Sequence, residues 1–208
     1  FGVLRLDPWM KIGYGLLISS VLGIIAGFIT VKLIECLFKN AKRKNATKFF
    51  RGAQIGGGAA MAFLHGAQDG QKFIGVFMLG LALQPDGGIQ VDPWIMVVAC
   101  SAIMGIGTSI GGYKIIKTVG MDMVKLETYQ GFSADLASSF CLLLATLTGI
   151  PLSTTHCKTT SIMGVGAAKR LSNVDWRIVK ELILAWVLTF PGCMILGYLM
   201  AKLFVQIF

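Results

Sequence analysis

Apolar runs long enough to cross a lipid bilayer recur along this chain, and nothing else constrains its fold as strongly. Residues 11–38, 93–112, 131–150 and 182–207 are dominated by Leu, Ile, Val, Phe, Met, Ala and Gly. About twenty such residues cross a hydrocarbon core as a helix. Inside that core only a helix or a closed barrel satisfies every backbone N–H and C=O. No alternation of apolar and polar residues points to strands, so the runs read as helices. Hydrophobic residues make up 55% of the 208 and charged ones 14%, with a mean hydropathy of +0.73. Soluble domains carry about a quarter charged residues, and a soluble chain this apolar could not cover its surface with polar groups. The expectation is an all-α, polytopic protein of the cell membrane, its residues 1–208 forming a single transmembrane domain.

The net charge of +9 would suggest nucleic acid in a soluble protein. Here the bases lie beside apolar segments, where the positive-inside rule accounts for them, and no nucleic-acid partner is expected. The stretch KNAKRKNATKFFR, residues 39–51, holds Lys39, Lys42, Arg43, Lys44, Lys48 and Arg51 and no acid. It is read as a cytoplasmic loop. The loop 84–92 has Asp86 and Asp92 and no base, and is read as external. Residues 53–83 are apolar at both ends and polar from His65 to Lys72, which predicts one crossing by a helix broken in the middle. Residues 131–168 have basic flanks on both sides, which predicts a re-entrant helical hairpin entering and leaving on the cytoplasmic face. The total is about four crossings, one of them broken, plus the hairpin. The chain opens on Phe1 rather than Met, which suggests a fragment whose N-terminal part is absent. Five scattered cysteines show no metal-binding spacing and read as small apolar residues. The twenty-six glycines fit close helix packing.

The two polar interruptions, at 65–72 and 151–158, carry the functional reading. Non-helical backbone at membrane depth is tolerated only where protein buries it or a wet cavity borders it, and broken helices near the midplane mark the binding sites of secondary transporters. In GIPLSTTHCKTTSIMG, residues 149–164, Pro151 discourages the preceding residue from helix, and Ser153 or Thr154 can cap the helix that restarts. The first turn of that helix has unpaired N–H groups at the positive end of the dipole, a natural anion site. Ser153, Thr154 and Thr155 add hydroxyl donors and Lys158 can add charge, which suits a compact oxyanion such as phosphate or sulfate. His156 can orient a hydroxyl or bind substrate, or be a satisfied polar group.

In His65-Gly66-Ala67-Gln68-Asp69-Gly70-Gln71-Lys72, Asp69 is an ionisable residue at membrane depth. It suits Na⁺ or H⁺, with Gln68 and Gln71 offering amide oxygens or donors. A structural pairing of Asp69 with Lys72 or His65 is the alternative. Asp135, in GFSADLASS, reads either as a second cation ligand or proton carrier or as a helix-end partner of the dipole. Thr108 and Ser109, in GIGTSIGG, fit helix-end hydrogen bonding.

Taken together and in this order, the motifs resemble those of the inorganic phosphate transporter family of the PiT type. Its HGANDxQK-like motif is matched by His65 through Lys72, and its PxSTTH motif by Pro151 through His156, followed by Gly164-Val165-Gly166-Ala167. Its GT…G…IxTxG segment is matched by Gly107-Thr108 through Gly120, and its GFxA-acid segment by Gly131 through Asp135. Gln68 stands where the family has asparagine, and Asp135 where it has glutamate. The resemblance implies two inverted repeats around a central phosphate, of which this chain supplies one, the C-terminal half. It also implies that Ser153, Thr154, Thr155, Asp69 and Gln71 bind phosphate. By the same resemblance Asp69, Gln68, Asp135 and Thr108 bind the coupling cation, with His65, His156, Lys72 and Lys158 behind them. The function implied is symport of inorganic phosphate with Na⁺ or H⁺, with no cofactor beyond a coupling Na⁺. The remaining half of the site comes from the absent N-terminal repeat or from a second copy in a homodimer. Sulfate or a metal–phosphate complex is the competing substrate, and a non-transporting membrane subunit the competing role. An intramembrane hydrolase would need Ser153, His156 and Asp69 as a triad, but no nucleophile elbow is present. The chain is therefore read as a non-enzyme.

Overall fold

A computed structural model describes residues 6–82, 92–150 and 152–207. Among them the chain is helical, without strands apart from one isolated bridge between Val124 and Val174. The helices are α1 (Leu6–Leu37), α2 (Arg43–Ala82), α3 (Pro93–Lys117), α4 (Thr128–Thr148), α5 (Thr154–Lys169) and α6 (Trp176–Ile207). Their starts follow local chemistry. Asp92 caps α3 by accepting from the Trp94 N–H at 2.9 Å, with Pro93 in the first turn. Glu127 and Gln130 form a capping box at α4. Ser153 caps α5, its hydroxyl accepting from the His156 N–H at 3.3 Å.

Among the described residues four helices are long and apolar enough to cross a membrane: α1, α3 with the π turn Thr118–Asp122 that extends it, α4 and α6. Large apolar side chains stand exposed along them, among them Ile25, Ile110, Leu147 and Val187. Lipid tails are the solvent that suits such surfaces.

Two expectations are corrected. The segment 53–83 is not a broken helix: α2 runs unbroken for 40 residues through His65–Lys72. That stretch lacks proline, and Asp69 finds His65 four residues before it and Lys72 three after. These are the spacings at which helical side chains meet, so the polar residues support the helix. The basic stretch 39–51 is a connection only as far as Lys42; Arg43 through Arg51 are helical. Pro151 lies outside the described residues, as does the loop 84–92, read as external, except for Asp92. Of the cysteines, only Cys141 and Cys157 are buried.

The described residues form two units, one through Val174 and one from Asp175. In the first unit α4 and α5 make a helical hairpin. Gly149 ends α4 with φ 67°, a left-handed conformation that suits a residue without Cβ. At the far end Lys169 of α5 pairs with Glu127 before α4 at 3.2 Å, so the hairpin begins and ends at one level. Both partners of this pair are about half exposed, and Lys169→Ala will change stability by less than about 1 kcal/mol in thermal unfolding. Helix α2 packs along α4 in parallel, Gly57 meeting Phe132 and Asp135, and Met61 meeting Ser138. Helix α1 packs on α5 through small residues. Gly27 faces the Ser161 backbone and Gly164 the Ile24 backbone, both with no room for a side chain. The buried centre holds Met61, Cys141, Leu142 and Cys157. The second unit is α6, whose N-terminus is capped by the Asp175 carboxylate accepting from the Arg177 N–H at 2.9 Å. It continues through Pro191.

Candidate functional site

The start of α5 and the middle of α2 meet at Asp69. The Thr154 hydroxyl donates to Asp69 Oδ2 at 3.1 Å. His65 Nε2 lies 3.2 Å from the same oxygen, and Lys72 Nζ lies 2.8 Å from Oδ1. Both of the structural pairings open in the sequence are therefore present together. Asp69 is 21% exposed, His65 36% and Lys72 54%, so the cluster opens toward its surroundings on the Lys72 side. Thr154 is buried, Ser153 half-buried and Thr155 exposed. The α5 N-terminus, two hydroxyls, a carboxylate and two cation-forming side chains thus share one locality. Such a locality can hold an anion at the helix end and a cation at the carboxylate.

One turn further along α5 is a second acidic centre. Asp135 of α4, 5% exposed, forms an ion pair with Lys158 of α5 and accepts from the Gln54 amide of α2 at 2.6 Å. Lys158 thus faces Asp135, not the helix start where it was expected to add charge. Gln68 is buried, and its amide donates into α4, to the Leu142 carbonyl at 3.4 Å and the Thr146 hydroxyl at 3.1 Å.

Gln71 is exposed, two positions from Asp69, and so points elsewhere from an unbroken helix. Thr108 is exposed on α3 and makes no hydrogen bond with Asp69, Gln68 or Asp135 among the described residues. The backbone N–H of His156 goes to the Ser153 cap.

Gln54 was missed, though a signal was available. Gln54, Met61 and Gln68 recur at seven-residue intervals, which puts all three on one stripe of α2, facing α4. Thr146 was also missed; its hydroxyl sits four residues after Leu142 and back-bonds to that carbonyl at 2.8 Å, as threonine in apolar helices does.

A family model described as the phosphate transporter family matches residues 2–197. The chain belongs to that family. Membership, with four apolar helices of spanning length, makes it a multi-pass protein of the cell membrane. Among its relatives is a Bacillus subtilis protein named "Probable low-affinity inorganic phosphate transporter". It is 36% identical over 199 residues, covering 95% of this chain and 60% of the relative. A Rhizobium meliloti protein of the same name is 32% identical, covering 91% of this chain and 57% of the relative. A Pyrococcus furiosus protein named as a phosphate permease is 31% identical, covering 86% and 46%. This family member therefore spans well under two thirds of the length of these relatives, all of them named as transporters or permeases and none as an enzyme. No solved structure gives a significant match.

Proposed function

We propose that this chain is one half of a secondary transporter that carries inorganic phosphate across the cell membrane together with a cation. The observation that carries the reading is the 3.1 Å hydrogen bond from Thr154 to Asp69. It couples a helix N-terminus suited to an anion with a carboxylate suited to a cation. Ser153, Thr154 and Thr155 supply donors to phosphate, and Asp69 holds the coupling ion, Na⁺ or H⁺. In the arrangement described, Lys72 and His65 neutralise Asp69. Phosphate arriving at the α5 N-terminus attracts these two groups, which frees the carboxylate for an ion from solution.

Symport follows from electrostatics. An unpaired anion in a low-dielectric cavity is very costly, so a cation at Asp69 raises phosphate affinity, and phosphate raises cation affinity by the same factor. The second half of the site comes from an N-terminal repeat of the same protein or from a second copy of this chain. Rocking of one half against the other gives alternating access. The α4–α5 hairpin enters and leaves on the cytoplasmic side, where its basic flanks and the stretch 39–51 also lie.

The test is uptake of labelled phosphate by the complete parent protein in liposomes, with Na⁺ and H⁺ gradients imposed separately. Wild type will take up phosphate under one of them. The Ser153→Ala, Thr154→Val double variant will be slower by roughly tenfold or more, since each hydrogen bond to a charged group contributes about 1.5–3 kcal/mol. Folded wild-type protein that moves no phosphate under either gradient would sink the reading, and sulfate uptake by the same vesicles would redirect it.

A further inference from the structure

The Asp135 centre is more deeply buried than the Asp69 cluster. Its carboxylate is held by three helices at once: its own α4, α2 through the Gln54 amide, and α5 through the Lys158 ammonium. Both carboxylate oxygens are occupied, Oδ2 by Gln54 and Oδ1 by Lys158. The other end of the Gln54 amide, Oε1, is buried with no hydrogen-bond partner among the described residues. It lies against Gly131, where an added Cβ would come within 2.8 Å of it. Two carboxylate oxygens beside an amide that has a spare oxygen are the donor types that hold a hard cation. Half a turn of the Gln54 amide would set its oxygen against the carboxylate, an arrangement that needs a cation between them. Lys158 already provides a cation at this point.

We propose that Lys158 is a tethered cation: its ammonium takes the place at Asp135 that a monovalent metal ion would otherwise occupy, so that Asp135 binds no Na⁺ in the native protein. The inference rests on the transporter reading above and sharpens it: of the two carboxylates Asp69 and Asp135, Asp69 is the one whose lysine partner, Lys72, is more than half exposed and free to be displaced by an exchangeable ion, whereas Lys158 is mostly buried. A carboxylate at membrane depth must be compensated, and one left without its partner is strongly destabilising. An ammonium delivered by the chain itself is always at hand, as a linked group acts at high effective concentration. Sodium must come from solution and shed its water. Lys158 also stands one helical turn after Thr154, on the same face of α5. The tether therefore fixes the helix whose first turn is the proposed anion site.

The experiment measures binding of radioactive Na⁺ to the complete transporter, with phosphate uptake followed in parallel. Lys158→Met will bind one more Na⁺ per chain than wild type and will gain a Na⁺-dependent rise in Tm, as any ligand of the folded state confers. The Asp135→Asn, Lys158→Met double variant, which has neither charge, will return to the wild-type Na⁺ count. Equal Na⁺ counts in wild type and Lys158→Met would overturn the proposal. If Lys158→Met accumulates only in sodium buffer, that dependence is itself the expected result. If it accumulates in none, Lys158→Gln, which keeps a donor for Asp135, is measured with the same two outcomes. Wild-type protein that takes up no phosphate would overturn the transporter reading and not the difference in Na⁺ count, so the two failures are distinguishable.

Discussion

Asp69→Asn will lower phosphate uptake by the complete transporter at least tenfold and leave the protein folded. The asparagine is nearly the same size and keeps an amide oxygen that can accept from Thr154, so the contact between α2 and α5 at 3.1 Å can survive. What is lost is the negative charge that faces His65 and Lys72 and, in the proposed cycle, the coupling ion. A neutral residue holds a cation far more weakly in a low-dielectric site, so the phosphate loses the coupling ion and keeps only Lys72 and His65 as compensating groups. The uptake that remains should no longer respond to the driving cation gradient. Thermal unfolding alongside uptake separates the two contributions. A variant that unfolds with wild-type Tm yet transports at the wild-type rate would remove Asp69 from the mechanism.

Gly164→Leu will have the largest effect on stability. A Cβ at Gly164 would meet the backbone of Ile24, just as one at Gly27 would meet the backbone of Ser161. Backbone cannot swing aside as a flexible side chain can, so a leucine forces α1 away from α5. Overpacking a close-packed site costs typically about 1–3 kcal/mol and sometimes more. In lipid no hydrophobic drive pulls helices back together, and packing of small residues is what holds them. The expected result is a sharp fall in Tm or loss of the monodisperse peak in size-exclusion chromatography. Gly52→Ala on α2 provides the contrast. Nothing lies within 4 Å of a Cβ there, and replacing a helical glycine by alanine gains up to about 1 kcal/mol. Should Gly164→Leu unfold like wild type, the α1–α5 seam does not hold the unit together.

Much of this protein was legible from local chemistry. Lengths of apolar sequence set the helices. Ser153 was read as a cap of the helix that restarts there, and it caps α5; Asp92-Pro93, the Glu127–Gln130 capping box and Gly149 are local signals of the same kind that went unread. Each of these signals acts over at most a few residues, which is why a sequence displays them. The continuity of α2 was harder to read. The polar run His65–Lys72 suggested a break because it was weighed by polarity, whereas its spacing lets Asp69 pair within the helix on both sides.

The site itself was decided by tertiary structure. The residues that meet in it, Asp69 with Thr154, Asp135 with Gln54 and Gln68 with Thr146, are 85, 81 and 78 positions apart. Their types announced the chemistry, an acid here and hydroxyls there, but no spacing within one helix says which acid faces which helix. That choice belongs to the packing. The small residues of α1 and α5 set how closely those helices approach, and the stripe from Gln54 through Met61 to Gln68 sets how α2 lies on α4. Only with those surfaces in contact does Lys158 fall beside Asp135 and Thr154 beside Asp69.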